Sequence, residues 1–141
     1  MTIPKYKNLP KGMQIVINGL RQCESKEECL RRAYNILTEK YYGRRVLTYI
    51  KLLNALEKDY HKLWSKEGFM HCNKINYLLK ILLLESKHFL EKDIVTKWTL
   101  IFYFSPHQYL QIKVAENKFI NIDIWGKAKG IEFGDHAHGF H

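Results

Sequence analysis

The sequence predicts an α+β fold in which a helical part comes first and an antiparallel sheet follows. Between residues 25 and 86 apolar residues recur every three or four positions, the period of helices that bury one face. Between residues 97 and 125 the pattern changes to alternation, the period of β-strands. The chain has 141 residues, of which 46% are hydrophobic, enough for one core. We therefore predict a single domain, with an N-terminal arm over 1–24, a helical part over 25–86, a sheet over 97–125 and a His-rich tail over 126–141.

The arm and the first helix are predicted from local signals. Prolines and glycines interrupt the apolar piece from Met13 to Ile17, which predicts a strand or an ordered arm from Met1 to Cys23. Ser25 with Glu28 three residues later forms a capping box, which marks a helix N-terminus. Apolar residues then recur at helical spacing until Gly43 supplies a stop.

Two further helices are predicted before the sheet. From Arg44 to about Ser65, apolar and aromatic residues repeat every three or four positions, which predicts the second helix. The third helix, from about His71 to Ser86, is apolar nearly all the way round, so we expect it to be the buried central helix. Its broad face comprises Ile75, Leu78, Leu79, Leu82 and Leu83.

Three strands are predicted after these helices. The alternation from Trp98 to Phe104 predicts a strand buried on both faces, which Ser105-Pro106 ends. The stretch from His107 to Trp125 predicts two strands joined by a tight turn at Glu116-Asn117. Such a hairpin places His107 opposite a position near Asp123 to Trp125, so an imidazole and a carboxylate meet.

Cys72 completes a candidate catalytic triad with His107 and Asp123. It lies where a loop containing Gly68 gives way to the central helix, and the dipole of a helix N-terminus stabilises a thiolate. A thiolate attacks a carbonyl, an imidazole takes and later returns a proton, and a carboxylate fixes the imidazole tautomer. The backbone N–H of Cys72 would then face the developing oxyanion.

The order of these residues resembles the transglutaminase-like superfamily of papain-like cysteine enzymes. Cys72 begins a helix, His107-Gln-Tyr109 begins one strand, and Ile120-Asn-Ile-Asp123 ends the next. The resemblance covers about Gly68 to Trp125. It implies a papain-like core, the Cys72, His107, Asp123 triad and acyl-transfer chemistry on amides, either hydrolysis or transfer to an amine, without a cofactor.

The predicted function is therefore that of a cysteine-dependent acyl-transfer enzyme, a peptidase, amidase or transglutaminase that forms a thioester on a peptide or protein amide substrate. The alternative is a non-catalytic binding module of the same fold, because that family includes members that have lost catalysis. Lys and Arg outnumber Asp and Glu by 23 to 14, a net charge of +9, which would attract an acidic protein or nucleic acid. The basic residues are spread along the chain, which disfavours nucleic acid as the partner.

The His-rich tail allows three interpretations. His136, His138 and His141 are candidate metal ligands, since a His-x-His pair in an extended chain presents both rings to one side. Their spacing is loose, so a solvated tail and a segment packed near the triad remain alternatives.

The remaining sequence features concern location. Cys23, Cys29 and Cys72 are odd in number and lack C-x-x-C spacing, so we expect a reducing cytoplasm and no disulfide. The first residues lack the layout of a secretory signal, and apolar runs are too short for a bilayer span. Substrate and oligomeric state are not encoded in any recognisable motif.

Overall fold

A computed structural model of the protein describes residues 9–42, 60–65, 67–101 and 105–138. Within these ranges the chain has an α+β fold with four α-helices and a three-stranded antiparallel sheet. The predicted fold class is therefore confirmed at this level. The helices are α1 (Lys11–Arg21), α2 (Lys26–Lys40), α3 (Tyr60–Ser65) and α4 (Cys72–Glu85).

The strands form two separate ladders among the described residues. Two-residue strands β1 (Tyr41–Tyr42) and β2 (Gly68–Phe69) pair in parallel. The main sheet has the order β3-β4-β5, with β3 (Ile94–Ile101), β4 (Ser105–Ala115) and β5 (Lys118–Ile122). The short 3-10 helices Glu91–Asp93 and Trp125–Lys129 flank this sheet in the sequence.

The strand or ordered arm expected from Met1 to Cys23 is wrong over α1, which is helical. Pro10 is its N-cap, a position where the missing N–H of proline costs nothing. The residues that α1 buries are Met13, Ile17 and Leu20. Their spacing of four and then three is the helical period, and it outweighs the glycine inside the helix, which costs about 1 kcal/mol. Residues 1–8 lie outside the described part of the chain.

The capping signal of the next helix, α2, is confirmed with a small variation. The Ser25 hydroxyl accepts a hydrogen bond from the Glu28 N–H at 3.1 Å. The Glu28 carboxylate accepts from the N–H of Glu24, one residue before the cap, at 2.9 Å. Both bonds satisfy donors that a helix start would otherwise leave unpaired. The predicted stop at Gly43 lies outside the described residues.

The predicted second helix, from Arg44 to about Ser65, falls largely on residues that are not described. Its last turn, α3, is helical as predicted.

The central helix α4 is confirmed almost to the residue. His71 is its N-cap and Ser86 its C-cap, so Cys72 is the first helical residue. α4 packs against α1, α2, α3 and β4, which explains why it is buried on so much of its circumference. Its buried apolar residues are Ile75, Leu78, Leu79, Ile81, Leu82 and Leu83. Burying each such side chain contributes on the order of 1.5–3 kcal/mol, so this helix anchors the core.

The prediction that the strand starting near Trp98 is buried on both faces is wrong for the described part of β3. Trp98 is 63% exposed and Leu100 is 51% exposed. In the described sheet β3 pairs with β4 alone, so it is an edge strand whose apolar side chains reach solvent. Periodicity does not distinguish an edge strand from a central one. Residues 102–104 lie outside the described ranges.

The hairpin of β4 and β5 is confirmed with its turn at Glu116-Asn117. Leu110 pairs with Ile122 and Ile112 with Ile120, and the register shifts by one residue near the turn. β4 already begins at Ser105, so the expected strand break at Ser105-Pro106 is wrong; Pro106 pairs with Leu100 of β3.

Candidate active site

His107 and Asp123 form a buried hydrogen-bonded pair. The β4–β5 ladder ends at the pair Leu110–Ile122, and its continued register sets Asp123 opposite Tyr109, two residues along β4 from His107, so the two side chains come together just beyond the end of the ladder. His107 Nε2 lies 2.7 Å from Asp123 Oδ2, and each residue is only 1% exposed. A bond of this length between an imidazole and a carboxylate is charge-assisted and shielded from water, which makes it strong.

The carboxylate of Asp123 is held by the backbone as well. Its Oδ1 accepts a hydrogen bond from the Gly126 N–H at 2.9 Å. Its Oδ2 accepts from the Ala137 N–H at 2.7 Å in addition to the bond with His107. Three donors from three parts of the chain therefore fix the orientation of this carboxylate, and through it that of the imidazole.

Cys72 interacts with the same imidazole. It is the first residue of α4 and is partly exposed, whereas Cys23 and Cys29 are buried. Its thiol interacts with the side chain of His107 and raises the pKa of that imidazole. Because Nε2 faces Asp123, Nδ1 is the ring nitrogen available to the thiol. The structure thus brings all three predicted residues together in the order thiol, imidazole, carboxylate.

The surroundings of His107 favour its protonated form. Burial lowers the pKa of His107, but the hydrogen bonds with Asp123 and Cys72 and the charges of both partners together raise it to about 9. An imidazole with this pKa is cationic at neutral pH. It can stabilise a neighbouring thiolate and give a proton to a leaving group.

Trp125 covers the pair. Its ring lies 4.7 Å from the His107 ring, tilted by 45°, and the residue is buried. The Nζ of Lys129 lies 4.7 Å from the centroid of the same indole. Because the indole excludes water beside the imidazole, it preserves the low local dielectric in which the hydrogen bond with Asp123 is strong.

Asn76 and Gln108 are site neighbours that the sequence analysis did not single out. Asn76 Nδ2 donates to the backbone oxygen of Gln108 at 3.0 Å and to its Oε1 at 3.2 Å. Asn76 follows Cys72 by one helical turn, and Gln108 follows His107. These bonds therefore tie together the segments that carry Cys72 and His107. A buried amide within an otherwise apolar helix face is the signal that could have identified Asn76.

The described part of the tail packs against the triad. Gly134 bridges to Asn121 of β5, and Ala137 is fully buried. The ring of His136 stacks on that of Tyr109, with centroids 4.0 Å apart and planes within 3°. Of the two non-metal interpretations, the packed segment is the one observed. Gly126 and Ala137 contribute backbone N–H groups, which any residue carries, so no side-chain pattern could have marked them.

The metal interpretation of the tail gains no support. The rings of His136 and His138 lie 5.3 Å apart. Within the described ranges, no three His, Cys, Asp or Glu side chains are grouped as ligands for a metal ion. His141 lies outside those ranges.

No protein-family model matches this chain, and no curated protein or solved structure does either. Over the described residues, no helix is both long enough and apolar enough to cross a bilayer.

Proposed function

We propose that the protein is a cysteine-dependent acyl-transfer enzyme with a transglutaminase-like, papain-like core. The observation that carries the proposal is the buried His107–Asp123 bond of 2.7 Å, on an imidazole that also interacts with the thiol at the start of α4. In this proposal Cys72 is the nucleophile, His107 the acid and base, and Asp123 the positioning residue. The chain order of these residues and the helices-then-sheet arrangement agree with the family that the sequence resembles.

The first step is acylation of Cys72. Its thiolate attacks the carbonyl carbon of an amide, a C–S bond forms, and the C=O π pair moves onto oxygen. When the tetrahedral intermediate collapses, the C–N bond breaks and the His107 imidazolium gives its proton to the leaving nitrogen. The products of this step are an amine, a thioester on Cys72 and a neutral imidazole.

The second step releases the acyl group. Water or a second amine attacks the thioester carbon while neutral His107 accepts its proton, and the C–S bond breaks to restore the thiolate and the imidazolium. With water the product is a carboxylic acid; with an amine it is a new amide. The substrate class proposed is therefore a peptide or protein amide.

The start of α4 provides a donor for the oxyanion. The N–H groups in the first turn of a helix have no partner within the helix and carry the positive end of its dipole. The N–H of Cys72 belongs to that first turn. It is therefore the proposed oxyanion donor.

Alkylation of Cys72 by iodoacetamide tests this proposal. A thiol of ordinary acidity is only a few per cent thiolate at pH 7. We expect Cys72 to react much faster than such a thiol near pH 6–7, and to lose roughly tenfold or more of that rate in His107→Ala. Intact mass reports the site count, Cys72→Ser removes the reactive position, and the buried Cys23 and Cys29 serve as internal references.

The control variant is His61→Ala, which removes an exposed histidine on α3 outside the site. Its alkylation rate should equal that of the unaltered protein. An unreactive Cys72, or equal rates in His107→Ala and His61→Ala, would reject the enzyme. In that case the binding module with a basic surface becomes the better hypothesis.

A further inference from the structure

A cleft begins beside the Cys72–His107 pair. It lies between α4 and the strands β3 and β4 and has a volume of about 170 Å³. Asn73 and Gln108, the residues that follow Cys72 and His107, both line it. The described residues that line it further along include Asn76, Lys80 and Thr96. Because Asn73 is the chain neighbour of Cys72, the wall of the cleft begins about 3.8 Å, one Cα–Cα step, from the Cα of Cys72.

The lining of the cleft is suited to an acidic group. It presents side-chain amides, the hydroxyl-bearing residues Tyr77 and Thr96 and the ammonium of Lys80 beside the apolar Leu110, and no carboxylate is among its described lining residues. Lys80 Nζ lies 3.4 Å from Glu91 Oε1, but the Glu91 side chain is largely exposed. Because exposed ion pairs contribute only about 0–1 kcal/mol, a ligand carboxylate can compete for this ammonium.

The side chain of Gln108 lines the cleft and is held there by α4. Its Oε1 accepts a hydrogen bond from Asn76 Nδ2, and Asn76 is almost fully buried on α4. An amide whose oxygen is engaged by the helix directs its NH₂ group elsewhere, and this NH₂ has two donors. Gln108 and Lys80 can therefore bind one carboxylate from two directions.

An apolar surface continues from the cleft along β3. Trp98 pairs across the ladder with Gln108, and Leu100 pairs with Pro106. Side chains at directly paired positions lie on the same face of a sheet, so Trp98 and Leu100 share the face of Gln108. Both are largely exposed. A chain leaving the cleft would pass over them.

We propose that the cleft binds the acidic side chain, Asp or Glu, of the residue whose carbonyl Cys72 attacks, and that Trp98 contacts an apolar residue next to it in the same substrate. This inference rests on the proposed acyl-transfer function and specifies its substrate. The occupant is a peptide segment, recognised by charge at Lys80 and by apolar contact at Trp98. The net charge of +9 also favours the approach of acidic chains.

Peptidyl acyloxymethyl ketones provide the test, because their ketone replaces the scissile carbonyl. The Cys72 thiolate forms a C–S bond with the methylene carbon and displaces the carboxylate, so each labelling event adds a defined mass. Probes with Glu, Gln, Leu or Lys at the ketone residue are compared by the second-order rate of labelling of the full chain. We expect the Glu probe to react roughly fivefold to tenfold faster than the Leu and Lys probes, the effect of one charge-assisted bond.

Two variants with matched controls locate the preference. Lys80→Met should abolish the advantage of the Glu probe, whereas Lys97→Met, an exposed lysine on the opposite face of β3, should retain it. Trp98→Ser should slow probes that carry a neighbouring Leu, whereas Phe119→Ser, an exposed aromatic on β5, should not. Iodoacetamide, which lacks these groups, should alkylate the two control variants, Lys97→Met and Phe119→Ser, at the rate of the unaltered protein. For Lys80→Met and Trp98→Ser, the rate with each ketone probe is divided by that variant's own rate with iodoacetamide.

The outcomes separate this inference from the proposed function. Two results would overturn the cleft assignment alone. In the first, labelling of Cys72 depends on His107 but proceeds at the same rate whichever residue carries the ketone. In the second, the preference for the Glu probe persists in Lys80→Met. If no probe labels Cys72 in a manner that depends on His107, the acyl-transfer function fails together with it.

Discussion

At the scale of single residues, the state of His107 governs the chemistry of the site. Its imidazole is bonded to a carboxylate and interacts with a thiol, both partners that favour the cation. The neutral imidazole needed for deacylation is regenerated only when the proton leaves with the first product. In the proposed mechanism, the site therefore rests with the imidazolium that acylation requires, and the neutral imidazole forms only through the reaction itself.

The raised pKa of His107 makes stability depend on pH with a defined sign. The folded protein holds this proton up to a pKa of about 9, whereas an ordinary histidine has a pKa of 6.5. Below pH 6.5 His107 is protonated in both the folded and the unfolded protein, and its full contribution to stability is present. As pH rises towards 9 the unfolded chain loses the proton first, so the free energy of unfolding falls. The loss over this window should be on the order of 3 kcal/mol.

Urea unfolding of the unaltered protein and of His107→Gln, measured at several pH values from 6 to 10, checks this prediction. The difference between the two proteins cancels groups that do not interact with His107. It should shrink as pH rises from about 6.5 to about 9. A difference that stays constant, or grows with pH, would show that the imidazole is not held as a cation.

At the scale of elements, the turn after β5 is built around one close approach. A Cβ added to Gly126 would lie 2.8 Å from Ile131 Cγ1 and 3.0 Å from Asp123 Oδ2. We expect Gly126→Ala to destabilise the protein by about 1–3 kcal/mol, because backbone or core must shift to admit the methyl group. It should also slow the alkylation of Cys72, since the shift moves the carboxylate that orients His107.

Gly19→Ala is the matched control, because Gly19 lies inside α1 and a Cβ there meets no other group within 4 Å. That substitution should stabilise the protein by up to about 1 kcal/mol through helix propensity. Thermal and urea unfolding of the two variants provide the comparison. Equal stability of Gly126→Ala and the unaltered protein would show that the turn has room that the structure does not indicate.

The elements that could be predicted from sequence are those fixed by local signals. The cap at Ser25, the apolar face of α4 and the turn at Glu116-Asn117 each depend on residues close together in the chain, and each is confirmed. The edge position of β3 depends on which strand lies beside it. The identity of that neighbouring strand is not encoded locally, and for this reason the prediction that β3 is buried on both faces is wrong.

The same distinction applies to the site. The proximity of His107 and Asp123 follows from hairpin register, which a tight turn fixes. The approach of Cys72 depends on how α4 packs on the sheet, so the sequence could suggest it only indirectly, from the position of Cys72 at a helix start and from the family resemblance. The contributions of Gly126 and Ala137 are backbone N–H groups, whose use depends on the path of the chain.

At the scale of the whole molecule, the described part of the tail contacts both the helix α2 and the site. Phe133 contacts Tyr34 of α2 edge-on, with ring centroids 5.2 Å apart, and its ring lies 4.2 Å from the Arg31 guanidinium carbon. Four residues later, Ala137 donates to Asp123. The packing of α2 and the orientation of the carboxylate are thereby connected through one short segment.

Deletion of residues 134–141 should weaken the site without removing any triad residue. Asp123 Oδ2 would lose one of its two donors, at a cost of roughly 1–3 kcal/mol for a buried charged acceptor. We expect slower alkylation of Cys72 near pH 6–7 and a lower midpoint in urea. Deletion of 139–141 alone, which leaves the Ala137 N–H in place, is the control. Identical behaviour of the two deletions would mean that the Ala137 bond is dispensable.

The hydrogen bonds described around Asp123 and Asn76 join residues between Cys72 and Ala137, whereas the polar contact of α1 with α4, from Arg21 to Glu85, lies at the end of α4 opposite Cys72. In a saturation mutagenesis experiment the chain should therefore divide at Cys72. Before that residue, the effect of a substitution on turnover should follow its effect on the amount of folded protein. After it, a second class should emerge, made of variants that accumulate normally and yet are inert, and their positions would outline the working part of the molecule.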